Sequence, residues 1–521
     1  MANLFEHKDR WLVPNWRSFG KTTILGELDS FQSFREPTSK TDINEYIIDW
    51  RLNQTAIHAA DLLSAAIVNN KKENKHVYEA ANFIISNKDK ATLSQISLAS
   101  LILDKTNDVD LFARFKKVSF DNLPSFMNPE PIRFKIKEAK LMLITFPSNP
   151  ILYVELSRYY SILGQEQNSI KSMRTALHLA PNNRFVLRCA TRLFAHYKTD
   201  YNDYLEYIHE ILRKSTMTAF DPWLTSAEIS IANLQNRSSK FIKRGIELIN
   251  SNNISPFNFT ELASSIGTVE LLYGSTKKSR EYFKKSLLNP NDNSLAQIEW
   301  ASSKDNQLNI SPTKFEVKMN FEALALDNYH NKEYELALEN AAKWFIDMPF
   351  SKRPVMFGSN ISSIILNDQS KAISFLNAGL ISNPNDPQLI NNLAYALALN
   401  DKSSEAFEQL NKIRNIDEVD EITSICIAAT RGLAFFRNNN FEDGRQMYLK
   451  AIEHTTVIKN KELNWIAILN YAREEIKIGS IFVDSIMEKV AKIPVDNIDI
   501  EIQILRNEVA IGYEKLKQQS I

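Results

Sequence analysis

The sequence predicts an all-α protein that folds as a right-handed superhelical solenoid of helix-turn-helix repeats. The clearest unit is residues 149–183, which combine two short amphipathic helices, a turn with Gly164 and a closing Pro181. Apolar side chains recur at helical spacing in both helices, with Tyr153, Leu156 and Tyr160 in the first and Ile170, Met173 and Leu177 in the second. Neither helix can bury its apolar stripe alone, so the unit needs copies of itself as neighbours. Only 12 of the 521 residues are glycine, which disfavours a turn-rich β architecture.

The copies are marked by recurring prolines. A spacing of 34 residues separates Pro147 from Pro181, Pro222 from Pro256 and Pro256 from Pro290, and 35 residues separate Pro349 from Pro384. Paired helices with this period resemble the tetratricopeptide repeat. With Pro150 at the first repeat position, the key positions of the family fall on Tyr153, Leu156, Ser157, Tyr160, Ser169, Met173, Ala176 and Pro181. The resemblance covers about residues 147–460 and implies an interaction scaffold.

Composition narrows the class of protein further. Hydrophobic residues make up 44% of the chain and charged residues 24%, so we expect it to fold rather than stay disordered. Lys+Arg and Asp+Glu both total 62, which gives no global attraction to nucleic acid or anionic membrane. Two distant cysteines, Cys189 and Cys426, argue against a disulfide framework or a zinc site. Without a signal peptide or a long apolar run, we expect a cytoplasmic protein with no membrane span.

Six stretches follow from the pattern along the chain. They are an aromatic-rich arm at 1–40, degenerate helical repeats at 41–146, a first block of repeats at 147–301, an interruption or hinge at 302–317, a second block at 318–460 and a C-terminal helical cap at 461–521. The interruption is inferred from the 59 residues between Pro290 and Pro349, which exceed one period. The cap is inferred from an apolar stripe on a final helix over about 498–518, with Ile502, Leu505, Val509, Tyr513 and Leu516.

The arm has no helical period but carries large apolar area. Its aromatic residues include Phe5, Trp11, Trp16, Phe19, Phe31 and Phe34. Such rings are poorly suited to free solution. Two interpretations stay open at this point: the arm packs along its own solenoid, or it docks on a partner.

No catalytic constellation stands out. His209 begins a near match to a zinc-protease motif, but Arg213 replaces the second ligand and would repel a metal. Neither cysteine lies in a nucleophile motif, and no glycine-flanked serine elbow occurs. We therefore expect no enzyme activity, cofactor or catalytic metal.

A groove is the remaining candidate site. The resemblance implies that first helices line the concave face, and it places Arg158 and Arg192 at the same repeat position of consecutive units, with Arg188 nearby. Three guanidinium groups on one groove suit a carboxylate or phosphate, unless glutamates on neighbouring helices neutralise them. In the second block, Asn391 and Tyr395 take the corresponding positions, where asparagine can hold a peptide backbone.

The leading hypothesis is a non-catalytic scaffold or adaptor that binds one or more proteins in its concave groove, through an acidic or extended peptide segment. One alternative is a regulatory or sensor subunit of a multi-protein effector system such as bacterial antiviral defence, with curvature changing across the interruption. A second alternative is an RNA-binding helical solenoid, which zero net charge and the lack of a repeated base-reading pair disfavour.

Overall fold

The computed structural model describes residues 12–18, 43–68, 74–103, 123, 128–197, 204–251, 254–308, 310–311, 314–315, 317, 319–414, 419–496 and 498–519. Twenty-five α-helices, α1 to α25, account for most of these residues, and none of the described residues forms a strand. The predicted all-α solenoid is confirmed. Most of the aromatic arm lies outside the described residues, and only the stretch from Leu12 to Ser18 is placed. No helix in the described ranges is both long and apolar enough to cross a membrane.

Four helices form the N-terminal unit: α1 (Ile43–Leu52), α2 (Ala56–Val68), α3 (Lys75–Ser86) and α4 (Leu93–Leu103). Alanines at their contacts, including the fully buried Ala59, Ala80 and Ala81, let the helices approach closely. Trp50 of α1 meets Phe83 of α3 edge-on, with ring centroids 5.0 Å apart. This unit has a hydrophobic core of its own.

The first array comprises ten helices: α5 (Glu130–Thr145), α6 (Pro150–Ile162), α7 (Glu166–Leu179), α8 (Arg184–His196), α9 (Tyr204–Lys214), α10 (Pro222–Leu234), α11 (Ile242–Asn250), α12 (Pro256–Tyr273), α13 (Thr276–Ser286) and α14 (Asp292–Ser302). Capping explains where the first helices begin. Asn149, Asn183 and Asp221 each accept hydrogen bonds from main-chain N–H groups in the first turn of α6, α8 and α10. The apolar stripe predicted for α7 is buried.

The interruption packs against the array. No second α-helix follows α14 in the described part of 303–320. Leu308 is instead buried against α13 and α14 in the cluster that contains Phe283 and Trp300. Arg280 donates two hydrogen bonds, of 2.7 and 3.0 Å, to the carboxylate of Asp305. Whether this stretch also works as a hinge stays a prediction.

The second array comprises α15 (Phe321–His330), α16 (Tyr334–Asp347), α17 (Arg353–Asn360), α18 (Gln369–Ser382), α19 (Pro387–Leu399), α20 (Ser403–Leu410), α21 (Glu421–Arg437) and α22 (Phe441–Val457). A π-helical turn, Ile361–Ile365, continues α17. Helices α21 and α22 cross closely because both have glycine at the contact. A Cβ on Gly444 would lie 2.6 Å from Phe436 and 3.1 Å from the carbonyl oxygen of Gly432.

Three helices end the chain: α23 (Lys461–Ile478), α24 (Val483–Val490) and α25 (Ile500–Gln519). Ile502, Leu505 and Val509 of the predicted stripe are buried against the rest of the second array. From Asn507 onward, every residue of α25 except Val509 is exposed or partly exposed to solvent.

The solenoid coils back on itself between its two arrays. Gly164, in the turn after α6, has a φ of 66°, and a Cβ there would lie 2.8 Å from Pro384, which follows α18. Ser382 donates a hydrogen bond of 3.0 Å to the carbonyl oxygen of Ile162, across 220 positions of sequence. The inner walls of the two arrays therefore face a common interior, and Leu12–Ser18 lies in it.

Candidate peptide-binding groove

The inner wall of the first array is lined by two of the predicted arginines. Arg158 of α6 and Arg192 of α8 are almost fully buried, with 5% and 2% of their surfaces exposed. Arg192 donates a hydrogen bond of 2.9 Å from Nε to the carbonyl oxygen of Pro14, and a second from Nη2 to that of Val13. Arg158 donates longer bonds, both 3.4 Å, to the carbonyl oxygens of Trp16 and Asp347. The two side chains therefore hold main-chain oxygens of the N-terminal arm.

The arm segment fills the space between the arrays. We call residues 12–18, LVPNWRS, the inner segment. It has no helical or strand structure, and Leu12, Val13 and Trp16 are fully buried. The indole of Trp16 packs on the ring of Phe350, with centroids 5.2 Å apart. Asn293 adds a second donor, at 3.4 Å, to the Val13 carbonyl oxygen. Val13 and Trp16 are thus part of a hydrophobic cluster that includes helices of the first array.

An acidic site receives the next residue of the inner segment. The guanidinium of Arg17 lies 2.6 Å from the carboxylates of both Asp292 and Asp347. Burial alone lowers the pKa of Arg17, but these two carboxylates outweigh it and hold the pKa well above its usual value. Asn15 also donates to Asp292, at 2.7 Å. Because Asp292 begins α14 and Asp347 ends α16, Arg17 bridges the two sides of the interruption.

Arg188 takes a different role from Arg158 and Arg192. Its two terminal nitrogens donate to the two carboxylate oxygens of Glu261 on α12, at 2.8 and 3.0 Å. Its guanidinium also stacks over the ring of Trp223, 4.8 Å from the centroid. Neutralisation by a glutamate, one of the two interpretations open from the sequence, describes this residue. All three arginines have partners within the chain.

The second array contains a cavity of its own. Asn391 and Tyr395 of α19 border a cavity of about 90 Å³, which α17, α21 and α23 also line. The lining is mostly apolar and includes Ile425 and Ile466. Tyr395 donates a hydrogen bond of 3.0 Å to Asn470. We call this space the second-array cavity.

Asn391 gives the second-array cavity an unused acceptor. Its side chain is 5% exposed, and its Oδ1 atom has no hydrogen-bond partner in the described part of the chain. Buried polar atoms are normally paired, so such an oxygen is suited to a donor supplied by a ligand. Cys426 also borders the cavity, but burial raises the pKa of its thiol to about 12, which disfavours the reactive thiolate.

Several residues of the groove could not be predicted from the sequence. Asp292, Asn293 and Asp347 lie near the ends of helices rather than at the repeat positions that usually face a groove. Arg17 lies in an arm without periodicity. The adjacent aromatic and basic residues of the arm, Trp16 and Arg17, were the one available signal, since each needs a specific partner when buried.

Comparison with known proteins agrees with this architecture. Residues 151–183, which span α6 and α7, match the profile of the tetratricopeptide repeat. Residues 151–183 thus form a tetratricopeptide repeat, in the stretch that carried the clearest sequence resemblance to this family. No curated protein matches its sequence.

Solved structures similar to the chain include yeast Tom70 and the APC/C hetero-tetramer Cut9–Hcn1. Tom70 has 17% sequence identity and a TM-score of 0.30, over 77% of this chain and 95% of Tom70. The Cut9–Hcn1 structure has 10% identity and a TM-score of 0.33, over 94% of this chain and 98% of the other.

Proposed function

We propose that the chain is a non-catalytic scaffold or adaptor that captures a non-helical segment of a partner protein on its inner walls. One observation carries this proposal: the groove already binds a non-helical stretch of polypeptide, its own inner segment. Arg158 and Arg192 contact main-chain oxygens, which every peptide offers. Guanidinium groups form charge-assisted hydrogen bonds of this kind that are stronger than neutral ones.

The second-array cavity extends this binding surface. It offers apolar lining for a side chain and the unpaired Asn391 oxygen for a main-chain N–H group. A ligand that used both would gain apolar burial and one hydrogen bond without first breaking a protein contact. A partner segment of a few residues that follows the inner wall of α17, α19, α21 and α23 is the occupant we propose.

A site-specific photo-crosslinker tests the function in the native source. Tyr395 is replaced by the crosslinking amino acid p-benzoyl-phenylalanine, an aromatic-for-aromatic exchange inside the cavity. The matched control places the same group at Leu449 of α22, where 46% of the side chain is exposed to solvent. We expect one protein to be crosslinked from position 395 but not from position 449.

A second substitution tests whether the crosslinked protein binds in the second-array cavity. Asn391→Leu removes the unpaired oxygen, and we expect it to weaken the Tyr395 crosslink at least about fivefold, since a hydrogen bond to a buried group is typically worth about 1–3 kcal/mol. Identical products from both crosslinking positions, or none from Tyr395, would rule out a partner in the cavity. Products that are RNA and vanish steeply with added salt would favour the RNA-binding alternative instead.

A further inference from the structure

We infer that the inner segment, Leu12–Ser18, is a built-in competitor that occupies the first-array groove and defines the partner peptide that replaces it. This inference rests on the proposed function. The replacing ligand is a non-helical segment of a partner protein in which an aromatic residue is followed by a basic one. Both the occupation of the groove and the chemistry of the ligand follow from contacts between the inner segment and the wall.

Main-chain contacts make the groove tolerant of sequence. Arg192 binds the carbonyl oxygens of Val13 and Pro14, and Arg158 binds that of Trp16. None of these bonds depends on the identity of the side chain that the segment carries. A partner segment with the same backbone path would form the same bonds, so its binding would replace each lost hydrogen bond with an equivalent one.

Two side-chain sites give the groove its selectivity. The first is the apolar site where Trp16 meets Phe350, and it favours an aromatic ring. The Trp16 indole nitrogen has no hydrogen-bond partner among the residues described, so phenylalanine would lose no hydrogen bond there and would avoid burying an unpaired donor. The second is the acidic pair Asp292 and Asp347, which needs a cation, and arginine can bridge both carboxylates with one fork.

Covalent attachment gives the inner segment an advantage over a free peptide in binding the groove. An attached segment competes at an effective concentration typically on the order of millimolar. A free peptide with equal contacts at about 10 µM would then occupy roughly 1% of grooves. A partner must therefore bind more contacts than the inner segment does, for example by reaching the second-array cavity, or the inner segment must first be weakened.

The test uses the full chain and a fluorescein-labelled peptide of sequence LVPNWRS. The double variant Trp16→Ala with Arg17→Ala weakens the inner segment in cis. We expect it to bind the labelled peptide at least 100-fold more tightly than the wild-type chain does. Adding Arg192→Ala to that variant should weaken peptide binding at least tenfold. Adding Arg237→Ala, a half-exposed arginine paired with Glu206 outside the groove, is the matched control and should change nothing.

Peptide variants test the selectivity. A peptide with Phe in place of Trp16 should bind at least as well as LVPNWRS, whereas Glu in place of Arg17 should abolish binding. If the double variant keeps wild-type helicity but binds no peptide, the inner segment is a fixed structural part of the fold and the inference is wrong. Equal binding of the Arg and Glu peptides would refute the acidic site.

A second measurement decides the matter if the double variant fails to fold. A protease site is inserted between Ser18 and Ile43 of the otherwise wild-type chain, the chain is cut, and labelled LVPNWRS is added in 100-fold excess. Exchange of the cut fragment for the labelled peptide supports the inference, and retention of the fragment for days refutes it. If the peptide does not exchange but position 395 gives a specific crosslink, this inference is wrong and the scaffold function stands. If the peptide exchanges but no protein is crosslinked, the scaffold function alone is refuted.

Discussion

Removing the charge of Arg17 should release the inner segment. The change considered is Arg17→Met, which keeps the length and apolar stem of the side chain but not the guanidinium. Asp347 is then left with 1% of its side chain exposed and Asp292 with 14%, and each had lain 2.6 Å from the same nitrogen. The variant therefore buries two neighbouring carboxylates that have lost their shared counter-charge.

The expected cost follows from this geometry. Two like charges about 5 Å apart repel by roughly 3 kcal/mol at an effective dielectric constant of about 20. Breaking a buried ion pair by removing one partner typically costs about 3–5 kcal/mol. We adopt this range, because relaxation and entry of water offset part of the repulsion. It corresponds to a roughly 10²- to 10⁴-fold increase in the fraction of molecules with the inner segment released.

Hydrogen exchange of the amides in 13–18 is the appropriate assay, because a solenoid of this length need not unfold in one step. Exchange there should accelerate by that factor, while α2 and α3 keep their wild-type protection. Arg237→Met, which breaks a largely exposed ion pair, is the control and should change exchange little. Adding Asp292→Asn and Asp347→Asn to Arg17→Met should recover at least half of the loss. Wild-type exchange in Arg17→Met would refute the view that this ion pair holds the segment.

Three further outcomes are expected from other parts of the fold. Gly444→Ala should destabilise the α21–α22 pair by about 1–3 kcal/mol in urea unfolding, because the new methyl would clash with Phe436 unless the helices separate; an unchanged midpoint would contradict that close approach. Cys426, with its pKa raised to about 12, should react with a disulfide reagent at pH 8 about 10³-fold more slowly than an exposed thiol, as the loss of signal in Cys426→Ser would verify. Hydrogen bonds from Arg280 lower the pKa of Asp305 in the folded chain, so this carboxylate contributes stability above its unfolded pKa and loses it as pH falls through the lowered value. Asp305→Asn should accordingly speed hydrogen exchange in 303–308 at pH 7 but not under strongly acidic conditions.

The repeat architecture could be predicted because its determinants are local. Asn149, Gly164 and the stripe from Ile170 to Leu177 act within one helix pair, and the structure places each as cap, left-handed turn and buried face. Arg158 and Arg192 are spaced by one repeat, and both donate hydrogen bonds to the inner segment. Periodicity reports such relations well, since it repeats the same geometry at each step.

The occupant of that wall could not be predicted in the same way. Val13 and Arg192 are 179 positions apart, and Arg17 and Asp347 are 330 apart. No repeat position encodes these contacts, because they depend on how far the whole solenoid curves before its inner walls face each other. Arg188 illustrates the same limit: its charge suggested a ligand, yet Glu261, two repeats further on, already binds it.

Although the net charge of the chain is zero, basic and acidic side chains of the groove have different partners. Within the groove, basic side chains on the wall face carbonyl oxygens, and acidic side chains face the one cation of the inner segment. An acidic partner segment would therefore meet Asp292 and Asp347 and be repelled, although arginines line the same wall. Under the proposed function, the arginines would recognise any polypeptide backbone, whereas the carboxylates would determine which side chains are accepted. Charge reversal at Arg192 and at Asp347 should therefore have different consequences. The first should weaken every peptide alike, and the second should change which peptide binds.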